Sequence, residues 1–283
     1  MSLIKQWGQR WSNKLLARRS LCIGLGVDHF CLALRHGRQW QLADAIQMPV
    51  DNPDQQWQVV LGALSSCLQQ AGPQYQGVPL RITLASRWCP MQSVPWSDAL
   101  FNPKQATQFL QNQFVALFGE AARDWVIQAD DAPYGQPRMA CAIERDLLTA
   151  LHSLAEQSGS HLQSVESSLS LAWRNGMAQA NSKGRCQAMA LVEPGRISLA
   201  LLHNNRLQAL LAHACGSAWE RDLAAHWMRW GLRQNELQQI SRVVVFNLSS
   251  QTAPTLSAPF EVIALPNSAL GPRLALLHCD GGA

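Results

Sequence analysis

Charged residues and tyrosine are scarce in this sequence. Charged side chains make up 15% of the 283 residues, and only 2 residues are tyrosine. The net charge at pH 7 is +4, and much of the basic excess falls within residues 1–19, so the sequence does not favour nucleic-acid binding by the body of the protein. Because 47% of the residues are hydrophobic, we expect a sizeable core and a surface that a partner covers in part.

The motifs of several common active sites are also missing. There is no P-loop, no GxSxG motif and no HExxH or similar spacing of paired metal ligands. None of the 8 cysteines forms a CxxC pair, which favours buried free thiols in a reducing compartment. His213 and Cys215 come nearest to a metal-binding pair, but a histidine with a structural or solvent-exposed role is the expected interpretation. We therefore expect no metal site.

Long apolar segments are absent as well. No run approaches the roughly 20 residues of a membrane-spanning helix, and no secretory signal follows the basic N terminus. We therefore expect the protein in the cytoplasm. Residues 1–19 predict a basic amphipathic helix with Trp7 and Trp11 on its apolar face. Two alternatives remain open: this helix packs on its own domain, or it docks on a membrane surface or a partner through the tryptophans.

One order of predicted elements occurs twice in the chain. Three strands are followed by a helix and a further strand in each half. A short polar linker at 181–184 separates the halves, so we expect two related α/β lobes, residues 20–183 and 184–283, with a cleft between them. The predicted elements are strands 21–27, 30–35, 39–47 and 80–86 with helix 54–70, and strands 186–192, 196–203, 206–212, 242–248, 260–265 and 274–278 with helices 217–230 and 234–240 and a hairpin turn at 204–205.

The first half contains further elements after its fourth strand. Residues 87–102 are irregular, and Asn102-Pro103 then begins a helix that extends to residue 118. Asp54 is the expected N-cap of the earlier helix at 54–70. The remaining predictions are strands 125–128, 138–143 and 161–166 and helices 145–157 and 167–180.

This order of elements resembles the actin-like superfamily, which includes actin, Hsp70 and the sugar kinases. Within it, the sequence looks like the PilM branch of bacterial type IV pilus assembly, whose relatives are MshI and the cytoplasmic part of the type II secretion protein GspL. Three stretches carry the resemblance. IGLGVDHFCLAL at 23–34 and ALVEPGRISLALLHNNRLQALLAHACG at 190–216 are similar to the two phosphate hairpins, and residues 138–176 are similar to a strand, helix, strand and helix of this family.

The resemblance implies an α/β, actin-like (ribonuclease H-like duplicated) fold in two lobes, with a small subdomain inserted at about 88–137. It also implies a scaffold at the cytoplasmic face of the bacterial inner membrane, in a type IV pilus (MSHA-type) or type II secretion assembly. The implied partner is the cytoplasmic tail of a PilN-like or GspM-like inner-membrane protein, with an assembly ATPase as a second one. The candidate partner contacts are Trp88, Phe109 and Phe114, and core packing is an equal alternative for each.

The first hairpin does not keep the phosphate-binding pattern that the resemblance implies. That pattern needs an acidic residue and a glycine whose backbone N–H groups face the phosphate. The two positions fall on Gly26 and Asp28 in one alignment and on Asp28 and Phe30 in the other, so neither alignment keeps both, although Gly24 adds a further glycine. His29 and Phe30 would also crowd a phosphate at this turn.

The other two nucleotide motifs are altered too. In the second hairpin the acidic and glycine positions are Glu193 and Gly195, and Pro194 between them removes a backbone donor. Where the family has a glycine-rich adenosine loop, this chain has Ser249 and Ser250. We therefore expect a protein without nucleotide hydrolysis or a bound cofactor. The alternative is a divergent ATPase of the actin, Hsp70 and sugar kinase superfamily that retains ATP and Mg²⁺.

Overall fold

The chain divides into two compact units in the computed structural model. The first unit is Met1–Ser167 and the second is Ser168–Ala283. Within the ranges that the structure describes, no helix is long and apolar enough to cross a membrane. The described residues are 19–37, 39–180, 186–203, 206–233, 237, 240, 242–249, 256–257 and 259–262.

Several sequence predictions fall outside these residues and stay predictions. They are the N-terminal helix with Trp7 and Trp11, the linker at 181–184, the turn at 204–205, most of the helix at 234–240, Ser250, and the strand at 274–278.

A five-stranded sheet forms the centre of the first unit. Strands β1, β2 and β3 form an antiparallel meander, as predicted, because the apolar runs are separated by short turns. Strands β4 and β8 continue the sheet parallel to β1, in the order β3-β2-β1-β4-β8. Their bounds are β1 Arg19–Leu25, β2 His29–His36, β3 Gln39–Pro49, β4 Leu80–Leu84 and β8 Leu162–Ser167.

Two helices cover this sheet and complete its core. Helix α1, Trp57–Gln70, connects β3 to β4, and helix α3, Arg145–Gln157, leads into β8. The prediction that α1 begins at Asp54 is wrong: the helix begins at Trp57 because Gln55 has a φ of 54°, which is incompatible with a helix. The buried helix residues that pack against the sheet are Val60, Leu64, Leu68, Leu147, Leu151 and Leu154.

A small subdomain with its own core lies between β4 and α3 in the sequence. Its sheet has the antiparallel order β5-β7-β6, from strands β5 Met91–Val94, β6 Trp125–Ala129 and β7 Arg138–Glu144. Helix α2, Pro103–Phe118, covers the sheet, and the Asn102 side chain accepts hydrogen bonds from the backbone N–H groups of its first turn. The helix start at Asn102-Pro103 is thus confirmed, whereas β5 lies in a segment that the sequence predicted to be irregular.

The second unit repeats the sheet of the first. Strands β9, β10 and β11 form an antiparallel meander, and β12 and β13 continue the sheet parallel to β9, in the order β11-β10-β9-β12-β13. The shared order in the two sheets supports the predicted internal duplication. The bounds are α4 Ser168–Ala180, β9 Cys186–Glu193, β10 Arg196–His203, β11 Arg206–Ala214, α5 Trp219–Gly231, β12 Val243–Asn247 and β13 Phe260–Val262.

Candidate functional site

The first candidate site is the turn between β1 and β2. Gly26, Val27 and Asp28 connect the two strands, and the Gly26 N–H donates a hydrogen bond to the His29 carbonyl at 2.9 Å, so that Val27 and Asp28 form the tip of the turn. The loop carbonyls are bound in turn by the segment after β3, where the Val50 N–H donates to the Asp28 carbonyl at 2.8 Å. A turn that is closed by backbone hydrogen bonds on both sides has little freedom to open around a ligand.

The imidazole of His29 lies directly on the backbone of Gly26. A Cβ atom placed on Gly26 would be 2.2 Å from His29 Cε1, so only glycine allows this contact. The ring is 1% exposed, and its Nδ1 lies 2.7 Å from a carboxylate oxygen of Asp28. The glycine is therefore required by the histidine ring, and the acidic side chain of the turn is bonded to the same ring.

The two aromatic residues that were predicted to crowd a phosphate differ in their positions. His29 lies on the turn, as described above. Phe30 is fully buried in the core of the first unit, because successive side chains of a strand point to opposite faces of the sheet. The prediction that Phe30 crowds the turn is wrong. Gly24 lies within β1, where its carbonyl accepts a hydrogen bond from the thiol of Cys31 at 3.8 Å.

Asn52 holds the first turn against the start of helix α1. Its side-chain amide donates to the Val27 carbonyl at 2.8 Å and to the Gln56 carbonyl at 2.9 Å, and its side-chain oxygen accepts from the Gln56 N–H at 3.0 Å. All three hydrogen bonds come from one buried side chain. The turn is thus part of a local network that extends from β1 to α1.

The tip of the second hairpin likewise consists of two residues. Glu193 pairs with Arg196, so Pro194 and Gly195 alone form the loop, and Gly195 has a φ of 76°. A proline followed by a glycine with positive φ is the sequence that a type II turn requires. The Glu193 carboxylate is buried and accepts a hydrogen bond from the Ser168 hydroxyl at 2.7 Å, at the start of helix α4. The acidic side chain of this hairpin therefore has a structural partner.

Each hairpin, taken by itself, departs from the phosphate-binding pattern of the family. At the first turn the His29 ring covers the glycine backbone that a phosphate would approach. At the second, Pro194 supplies no N–H, and the acidic side chain of Glu193 is buried and bonded to the Ser168 hydroxyl. The segment after β12, where the family has its adenosine loop, begins with a local turn. The N–H and the hydroxyl of Ser249 both donate to the side-chain oxygen of Asn247, at 2.9 and 2.8 Å.

The three predicted partner contacts do not line a common surface. Phe114 is fully buried in the core of the small subdomain, and Phe109 packs against that core. Trp88 is buried in the main core, where its indole N–H donates to the Gln55 carbonyl at 3.1 Å. For Trp88 and Phe114 the structure supports the core alternative, since a side chain without exposed surface has nothing to present to a partner.

A different set of aromatic side chains, two of them exposed and one partly buried, lies on the small subdomain, and the sequence analysis did not identify it. The Tyr134 ring contacts Trp96 edge to face, with centroids 4.8 Å apart, and stacks with Phe101 at 5.9 Å. Tyr134 is 74% exposed and Phe101 is 58% exposed. Pro95 directly precedes Trp96, and Pro133 directly precedes Tyr134. An aromatic residue beside a proline was therefore the sequence feature that could have indicated this surface. We call Trp96, Phe101 and Tyr134 the aromatic surface.

His213 lies on β11 and stacks face to face on His226 of α5. The sequence analysis had named His213 and Cys215 as the residues that come nearest to a metal-binding pair. The ring centroids are 3.9 Å apart and the planes differ by 4°. Partial burial lowers the pKa of His213, as do His226, Arg229 and Arg196. Burial raises the pKa of Cys215 to about 11, so its thiol stays protonated at neutral pH. In the described part of the chain, no three His, Cys, Asp or Glu side chains come together as a metal site.

Comparison with known proteins identifies the fold. No family model matches the chain, and no curated protein matches it. Among solved structures, a Bacteroides thetaiotaomicron protein with an actin-like ATPase fold and unknown function is 14% identical with a TM-score of 0.59, over 93% of this chain and 97% of its own. At this identity such a likeness shows the fold alone.

Two further structures share this fold and come from assembly systems of the bacterial envelope. The cytoplasmic domain of EpsL, an inner-membrane component of the type II secretion system of Vibrio cholerae, is 13% identical with a TM-score of 0.55, over 91% of this chain and 92% of its own. A chain of the PilM–PilN type IV pilus biogenesis complex is 11% identical with a TM-score of 0.60, over 92% of this chain and 96% of its own. The chain therefore has the actin-like ATPase fold, α/β with two mixed sheets, as predicted.

Proposed function

We propose that this protein is a cytoplasmic, actin-like scaffold of a type IV pilus or type II secretion assembly at the bacterial inner membrane. It binds the cytoplasmic tail of a membrane-spanning partner and does not hydrolyse nucleotide. The similarity to the cytoplasmic domain of EpsL and to PilM in its complex with PilN supports the class of assembly. An assembly ATPase is a second partner in this proposal.

The observation that carries the loss of nucleotide chemistry is the contact between His29 and Gly26. Phosphate binding by a turn needs exposed N–H groups over a backbone that has no side chain in the way. Here the imidazole occupies that position and the Gly26 N–H is already bonded to the His29 carbonyl. Because the ring is buried and bonded to Asp28, it does not move aside without losing both packing and a hydrogen bond.

A titration with Mg-ATP tests this part of the proposal. A nucleotide that binds the folded chain raises the free energy of unfolding by about 2.7 kcal/mol at a hundredfold excess over its Kd. We expect no heat in calorimetry and no shift of the melting temperature at millimolar Mg-ATP. A shift of several degrees that Gly195→Trp abolishes would contradict the proposal and favour the divergent ATPase.

The aromatic surface is the proposed docking site for the tail. Tyrosine and tryptophan supply large contact areas at low entropic cost, and adjacent exposed rings on a folded domain are typical of interaction sites. The segments that carry the rings, 95–104 and 130–138, contain three acidic residues, Asp98, Asp130 and Asp131, against two basic ones, Lys104 and Arg138. The chemistry of this surface thus fits an apolar tail with basic residues, whose cations pack on the ring faces and approach the carboxylates.

Fluorescence polarisation with labelled peptides tests the docking site. The probes are the cytoplasmic tails of single-span inner-membrane proteins from the same organism. We expect one or more basic, apolar tails to bind, and the double variant Phe101→Ala, Tyr134→Ala to weaken that binding at least about tenfold, as at interface hot spots. Leu117→Ala is the matched control, because Leu117 is an exposed apolar residue of the same subdomain. Equal binding by the double variant would contradict the assignment.

A further inference from the structure

Cys89 and Cys141 lie where the chain enters and leaves the small subdomain. Cys89 follows the turn after β4 and comes two residues before Met91, which pairs with Cys141 across the β5–β7 ladder. The ladder extends back toward Cys89, because the Ala142 N–H donates to the Pro90 carbonyl at 3.0 Å. The two cysteines therefore lie on the same face of neighbouring antiparallel segments, as diagonal neighbours two residues out of direct register.

The two thiols are in direct contact, and both are free. The Cys89 thiol donates a hydrogen bond to the Cys141 sulfur. Cys89 is 4% exposed, whereas Cys141 is partly exposed at the edge of the main core. The hydrogen bond lowers the pKa of the Cys141 thiol and raises the pKa of the Cys89 thiol. Cys141 is thus the more exposed residue of the two, and its sulfur accepts the hydrogen bond, which is the arrangement of an attacking thiol beside a resolving thiol.

We infer that Cys89 and Cys141 form a reversible disulfide when the protein meets a peroxide. The Cys141 thiolate attacks one peroxide oxygen and becomes a sulfenic acid, while the other oxygen leaves as water after protonation. The Cys89 thiol then attacks the sulfenic sulfur, an S–S bond forms, and a second water leaves. In total, two thiols and one hydrogen peroxide give one disulfide and two waters, and a dithiol reductant reverses the change.

The disulfide would close residues 90–140 into a loop that contains β5, helix α2, β6 and the aromatic surface. It would join the strand that enters the subdomain to the strand that leaves it. Any movement of the small subdomain relative to the five-stranded sheet has to bend these two strands. Oxidation would therefore restrict the part of the first unit that carries the proposed docking site, and this modification does not depend on whether that proposal is correct.

Peptide mass spectrometry of the oxidised full chain tests the inference. The reduced protein is treated with a small excess of hydrogen peroxide under native conditions, blocked with an alkylating reagent and digested with trypsin. We expect peptides 88–104 and 139–145 to appear joined, with a mass 2 Da below their sum, and to separate again after dithiothreitol. We also expect Cys89→Ser to stop at a Cys141 sulfenic acid that dimedone labels.

Two controls test whether the disulfide forms because the fold holds Cys89 and Cys141 together, and not because any thiol of the chain reacts with peroxide. Cys67 is half-buried on helix α1, and burial raises its pKa, so Cys67→Ser should leave the yield of joined peptides unchanged. The yield should fall several-fold when the same oxidation is done in concentrated urea, where the strands no longer hold the thiols together. If native oxidation leaves peptides 88–104 and 139–145 unjoined, or joins them no better than in urea, the inference is wrong.

Discussion

Replacing Gly26 by alanine tests the packing of the first turn most directly. The added Cβ would lie 2.2 Å from Cε1 and 2.5 Å from Nδ1 of the His29 ring, far inside van der Waals contact. The ring must leave its buried position and give up its 2.7 Å contact with Asp28. Overpacking of this kind costs about 1–3 kcal/mol, and a lost hydrogen bond costs about 1 kcal/mol. We expect Gly26→Ala to lower the free energy of unfolding by about 3 kcal/mol.

The same substitution should have the opposite sign when the ring is absent. In a His29→Ala background the clash disappears, and Gly26 is not among the glycines with positive φ, so alanine accepts its backbone conformation. Under those conditions a glycine-to-alanine change stabilises by about 0.4–1 kcal/mol through the unfolded state. The two substitutions are therefore expected to show a coupling energy of about 3.5–4 kcal/mol, the difference between the two effects of Gly26→Ala in a double-mutant cycle.

Urea unfolding of the full chain, followed by circular dichroism, measures the four free energies of this cycle. Gly62→Ala is the control: Gly62 is in helix α1, and nothing lies within 4 Å of the position its Cβ would take. It should stabilise by up to about 1 kcal/mol. If Gly26→Ala costs the same with and without the histidine ring, the ring does not lie on the turn, and the main support for the loss of phosphate binding is gone.

Two further predictions concern single side chains. Asn52→Ala should lower the free energy of unfolding by about 2 kcal/mol, measured in urea, because it leaves the Val27 carbonyl without its donor. An unchanged free energy of unfolding would contradict this. Burial and the stacked His226 lower the pKa of His213 in the native state, so the unfolded chain binds more protons. Stability should therefore rise with pH between that lowered pKa and about 6.5, and His213→Gln should reduce this slope in unfolding curves from pH 5 to 7.5.

Some site features could be read from the sequence and others could not. The crowding of the first turn by His29 followed from its place in the motif. The sequence did not show that the ring is the reason for the glycine, since this depends on a contact with Gly26. The aromatic surface was missed because Tyr134 lies in a different segment from Trp96 and Phe101, and only folding brings the two segments together.

The sequence by itself indicated the strands of the two five-stranded sheets and their order along the chain, but not strand β5 of the small subdomain. Short apolar runs bounded by turn signals favour strands, and the order of elements resembled the actin-like superfamily, which implied the fold that the comparisons show. Only the tertiary structure decided which aromatic residues are buried and which thiols touch. Phe114 lies in helix α2 and Tyr134 lies in a turn, and both are aromatic. Phe114 is buried in the core of the small subdomain, whereas Tyr134 is exposed on its surface. Burial and contact depend on elements that are distant in the chain, and local sequence does not encode those distances.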